Sequence, residues 1–139
     1  MTNTTKAATP TNDLHKARLI LETCLSATDS TTEDLSLWEA KDLINEIKDK
    51  MLSEDDFWID SLPCGEVRII DANAIQEIWH DSLIEQIKEC YDLSEVPSFV
   101  VIDWDQTADN CKIDGLGHHF GGYDHQEHSC EGFYIFRNN

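Results

Sequence analysis

The chain has 139 residues, 40% of them apolar and 9% aromatic, enough for one packed core and too much for a disordered polymer. Its 28 acidic and 10 basic side chains give a formal net charge of -18, where a small soluble domain carries roughly 2–8 units. Charge of this size disfavours unaided binding to nucleic acid or an anionic membrane, and favours a basic partner surface of the kind that holds DNA or RNA.

Residues 1–12 read as a flexible tail and 13–139 as a single acidic domain. MTNTTKAATPTND lacks the apolar core of a signal peptide, and no stretch approaches about 18 apolar residues, so a cytoplasmic protein is expected. From Asp13, a candidate N-cap, Leu14, Ala17, Ile20 or Leu21, Cys24 and Leu25 fall on one helical face. TDSTTED marks a turn. Thr32 is the expected cap of a second helix to about Leu52, with Glu33 and Asp34 at its positive end. Its core stripe is Leu37, Ala40, Ile44, Ile47 and Met51, widened by Trp38 and Leu43.

After Pro63 and Gly65, EVRIID (66–71) is the first strand expected. A long helix over 72–93 then buries Ile75, Ile78, Trp79, Leu83, Ile87, Cys90 and Tyr91, a face that also offers a homodimer seam. SFVVIDWDQTADNC, after Pro97, fits a short helix and, through its β-branched FVVI, equally a strand. GFYIFR (132–137) is a second strand, antiparallel to 66–71 directly or through another short strand. The fold class expected is α+β, several amphipathic helices packed with a small antiparallel sheet. Five cysteines without a CxxC read as reduced thiols, with Cys24 and Cys90 in the core.

Acids recur with helical spacing. Glu77, Asp81, Glu85 and Glu89 step by four residues, each step rising about 6 Å, and only Lys88 lies among them. Glu39, Asp42, Glu46 and Asp49 make a second row, diluted by Lys41, Lys48 and Lys50. Glu54, Asp55, Asp56 and Asp60 lie between. From Asp29 to Asp109 there are 22 acids and 5 bases, -17 of the total. Acids fill the solvent side of any helix, but ordinary surfaces mix both signs. Regular carboxylates can imitate the phosphate line of a duplex, whose charges recur every ~3.4 Å per strand. On this reading the carboxylates of 39–60 and 77–89 share one continuous face, with Trp58 or Tyr123 as the desolvated anchor.

GLGHHFGGYDHQEHSC (115–130) concentrates His118, His119, His125 and His128. Asp114, Asp124, Glu127, Cys111 or Cys130 are available to complete a tetrahedral zinc site, but no HExxH or HxxEH spacing is present. The loop reads chiefly as hydrogen-bonded imidazoles between glycine turns, and no cofactor is expected. Asp103, Asp105 and Asp109 are the best carboxylate cluster for a hydrolase. DWDQT has the spacing of the DxDxT phosphatase nucleophile, a motif that requires a preceding buried strand.

VIDWDQTADNC (101–111) followed by GFYIFRNN (132–139) resembles the closing part of ArdA-type antirestriction proteins: an aspartate and aromatic at Asp103 and Trp104, then Ala108 and Asp109, then a terminal strand at Tyr134–Phe136. The family's arginine before the last aspartate is absent, and the histidine-rich insertion is foreign to it. The likeness covers about a third of the chain. It implies fold roles for Asp103 and Asp109, and a phage or mobile-element protein that mimics DNA to occupy a restriction–modification enzyme in the host cytoplasm. A CRISPR effector's basic channel suits the same charge. The other classes are an adaptor or immunity protein masking a basic partner unrelated to DNA, and a hydrolase centred on 103–128.

Overall fold

The computed structural model describes residues 10–112 and 115–139. Of the expected tail, residues 1–9 lie outside the described residues, while 10–12 belong to the first helix. That helix, α1 (Pro10–Ala27), starts on a proline whose missing N–H would have had no partner there, so Asp13 sits in the first turn and is not the cap. Ala17, Ile20, Leu21, Cys24 and Leu25 are buried as the periodicity requires, and only Leu14 strays outward. Burial, then the neighbouring Cys130, pushes the Cys24 thiol up, which leaves it protonated and inert.

α2 (Leu37–Ser53) is capped by Ser36, not Thr32. The Glu39 N–H donates to Ser36 Oγ (3.1 Å) while the Ser36 N–H donates to the Glu39 carboxylate (2.9 Å), a reciprocal capping box. Thr31 and Asp34 form a second box on the short 3-10 turn Thr32–Asp34. The buried side of α2 is Leu43 and Ile47 against α1, with Ile44 and Met51 at its margin. Leu37 and Trp38, expected in the core, are 92% and 72% exposed.

Four strands, β1 (Asp56–Ile59), β2 (Val67–Asp71), β3 (His128–Cys130) and β4 (Phe133–Arg137), form an antiparallel sheet in the order β1-β2-β4-β3. The two strands expected from sequence are its central pair, in direct register with Ile69 opposite Ile135. Their alternation serves two cores. Val67, Ile69, Phe133 and Ile135, with Phe57 and Ile59 of β1, face α1 and α2. Ile70 and Phe136 face α3 (Ile75–Cys90), α4 (Trp104–Cys111) and α5 (Gly115–Phe120). Among the described residues the result is α+β, five helices on the two faces of a four-stranded antiparallel sheet.

α3 is shorter than the expected 72–93 and buries Ile75, Trp79 and Leu83, leaving Cys90 and Tyr91 exposed beyond its last packed turn. α4 begins only at Trp104, where Asp103 accepts from the Gln106 N–H (3.1 Å), so the preceding FVVI is neither helix nor strand. No helix of the described residues is long and apolar enough to cross a membrane.

Candidate acidic interface

α2 and α3 lie on opposite faces of the sheet, so the two acidic rows do not form the single continuous face expected from sequence. They also differ in kind. On α2, four acids meet three lysines. Lys50 reaches Glu46 (3.0 Å) and the Trp58 carbonyl (2.8 Å), and Lys48 approaches Asp49 (3.7 Å). Glu39, engaged in the cap, has its carboxyl held below the usual range first by the Ser36 N–H and then by its hydroxyl. Asp42 is exposed.

The α3–α4 layer is the more acidic one. Glu77, Asp81, Glu85 and Glu89 are all exposed, and the chain that follows adds exposed Asp92, Glu95, Asp103, Asp105 and Asp109. Nine carboxylates thus face solvent between 77 and 109 against one base, Lys88, whose ammonium lies 5.1 Å from the Trp104 ring centroid. Three of these acids have partners of their own. His80 Nε2 meets Asp105 at 2.9 Å, Lys112 stands 3.7 Å from an exposed Asp109, and Asp92 is held below its usual range by the Ser94 hydroxyl and N–H. With their carboxylates 89% and 63% exposed, the two pairs contribute little to stability.

The residues between the helices are only partly available. Glu54, Asp55 and Asp60 are exposed, but Asp56 takes both the Nε (2.8 Å) and Nη2 of Arg68. Arg68 also covers the Trp58 ring at 5.6 Å, leaving that indole 43% exposed. Tyr123 is exposed on one side, while the Arg137 guanidinium stacks 3.8 Å from its ring centroid on the other. Both proposed anchors are therefore occupied by arginines of their own chain.

The histidine segment, read as loop, contains α5 and β3. Two of its glycines are there for contact: a Cβ on Gly117 would stand 2.5 Å from the His125 carbonyl oxygen, and one on Gly121 2.8 Å from that of Gly117. His118 and His125 stack with ring centroids 5.0 Å apart, and His128 lies in β3 with its buried Nε2 unpartnered. Among the described residues no group of three or more His, Cys, Asp or Glu is placed to hold a metal; Asp114 lies outside them. The three candidate hydrolase aspartates diverge, Asp103 to its cap, Asp105 to His80 and Asp109 toward Lys112. Asp103 follows exposed irregular chain, not the buried strand that the phosphatase motif requires.

His119 lines an open cleft of about 780 Å³ with Arg68, Ser82, Leu83 and Ile87. Its Nε2 hydrogen-bonds the Ser82 hydroxyl at 2.9 Å, tying α5 to α3. Burial, then Arg68 and His118, hold its proton affinity below that of a free imidazole. The unfolded chain therefore binds a proton at His119 more readily than the folded one. The contribution of His119 to stability is fully present above about pH 6.5 and is lost as pH drops through that value toward the lower folded pKa. Urea midpoints across this range should show a pH slope that is smaller in His119→Gln. An unchanged slope would remove His119 as its source.

No family model matches the chain, and neither the curated proteins nor the solved structures compared with it give a match. What sequence reasoning missed at this surface is the run Asp92, Glu95, Asp103, Asp105 and Asp109. The signal was the local balance of charge: residues 75–111 hold nine acids to one base, while α2 holds four to three.

Proposed function

We propose that this protein is a non-enzymatic, cytoplasmic inhibitor whose acidic α3–α4 layer occupies the nucleic-acid site of a basic host defence protein, a restriction–modification or CRISPR effector. The observation that supports this reading is the set of nine exposed carboxylates between Glu77 and Asp109, with the one lysine among them beside an indole. Carboxylates stepping about 6 Å along α3 offer a basic groove repeated negative charge without bases to read. Such an encounter is fast, weakened by salt, and sterically incompatible with bound DNA. The ArdA-like stretch at 101–111 and 132–139 points to the same class of target.

The test is competition. Labelled duplex DNA is bound to a purified type I methyltransferase or guide-loaded CRISPR effector, and the protein is titrated in at about 0.05 M and about 0.5 M salt. Displacement is expected at the lower salt and largely lost at the higher. Combining Glu77→Gln, Asp81→Asn, Glu85→Gln and Glu89→Gln should weaken it on the order of 100-fold, whereas Asp42→Asn with Asp49→Asn on α2 should cost roughly threefold or less. Displacement insensitive both to salt and to the α3 substitutions would sink the electrostatic mechanism.

A further inference from the structure

Between α3 and α4 the chain runs irregularly from Tyr91 to Asp103, with one 3-10 turn at Leu93–Glu95 and a turn in which the Val100 N–H donates to Pro97 O (2.9 Å). Tyr91, Phe99, Val100 and Val101 are 67%, 84%, 45% and 91% exposed. Single apolar residues on a surface need no explanation, but four exposed on one connection, three of them consecutive, are more than scatter gives and are of the kind that marks an interface. β-branched and aromatic side chains would ordinarily be drawn into a strand. Here the backbones of Val101 and Ile102 bond to no other described residue.

The surroundings select the occupant. Asp92, Glu95 and Asp103 lie on the same connection, exposed, and no base lies between Lys88 and Lys112. A second copy seated here would set carboxylates against carboxylates at a cost that a -18 chain cannot relieve. The complementary surface is apolar at its centre and lysine- and arginine-rich at its rim. We propose that Tyr91, Phe99 and Val101 are the apolar anchor by which the acidic layer seats in a basic partner protein with a slot of that chemistry. This inference rests on the electrostatic reading above and adds to it the residues that set residence time. Charge brings the surfaces together, and desolvated aromatic contact at the centre of an interface slows their separation.

Random displayed peptides selected on the full-length protein at about 0.1 M salt provide the probe. Enriched peptides should join Lys or Arg to aromatic or aliphatic residues. Their affinity for a Phe99→Ser, Val101→Ser variant should fall about tenfold or more at low and high salt alike, with the salt slope unchanged. The four-fold α3 neutralisation should instead flatten the slope. Both anchor residues are exposed, so circular dichroism should show the variant folded as the parent. Basic peptides that bind the anchor variant as tightly as the parent would overturn the anchor and leave the electrostatic reading standing. Peptides with no basic excess and no salt dependence would overturn both. Self-association abolished by the same two substitutions would overturn the choice of a foreign partner.

Discussion

Phe136→Ala should lower the free energy of unfolding by about 3–5 kcal/mol, the range for deleting a fully buried aromatic ring. Phe136 is completely buried on the central strand β4, its ring centroid 5.3 Å from that of Phe120 and 6.2 Å from that of Tyr134. It forms, with Ile70, the part of the sheet on which the α3–α4–α5 layer rests. The ring's removal leaves a cavity beneath that layer, whereas Ile69 and Ile135 still support α1 and α2 on the other side. Urea unfolding measures the total loss. Native-state hydrogen exchange locates it, with protection of α3 amides expected to drop before that of α1. A cost under about 1 kcal/mol would contradict the position of Phe136 between sheet and helices.

Arg137→Met should cost about 2–4 kcal/mol, with most of that loss shared by Arg137→Lys. Arg137 is 7% exposed and joins segments remote in sequence. Its Nη1 donates to Asp29 (3.1 Å), Nη2 to the Cys64 carbonyl (3.0 Å) and Nε to the Asn139 carbonyl (3.0 Å), while its plane lies on Tyr123. The Asp29 side chain is 88% exposed, so the ion pair itself contributes little. The cost comes from the Cys64 carbonyl, which loses its donor, and from lost stacking and packing, while the Asn139 oxygen keeps the Glu66 N–H (3.2 Å). Lysine keeps the charge without the planar fork. Gly65, next to this junction, has no room for a side chain, since a Cβ would fall 2.3 Å from the Asn139 carbonyl oxygen. Denaturation of Arg137→Lys at parental stability would show that charge alone suffices there.

Long apolar periodicities were legible without coordinates. The buried set of α1 and the Ile75, Trp79 and Leu83 line of α3 follow from spacing, and the two strongest strand candidates pair as their β-branched content suggests. β1 was not legible because DFWI is four residues between acids, too short for alternation to stand out, and it forms only by adding to β2. The start of α2 was misplaced because two successive boxes, Thr31 to Asp34 and Ser36 to Glu39, compete for one signal. Which acids share a surface was beyond reach for a different reason. Charge counted along the chain cannot register the sheet that stands between α2 and α3, nor that Arg68 and Arg137 cover Trp58 and Tyr123.

The helices on the two faces of the sheet also divide the charge between them. Residues 10–55, which hold α1 and α2, have eleven acids to five bases, and residues 75–111, which hold α3 and α4, have nine to one. Both stretches are thus anionic, -6 against -8, and the second carries its charge on fewer residues. Charge of one sign is therefore densest on the α3–α4 side, and counter-ions gather there first.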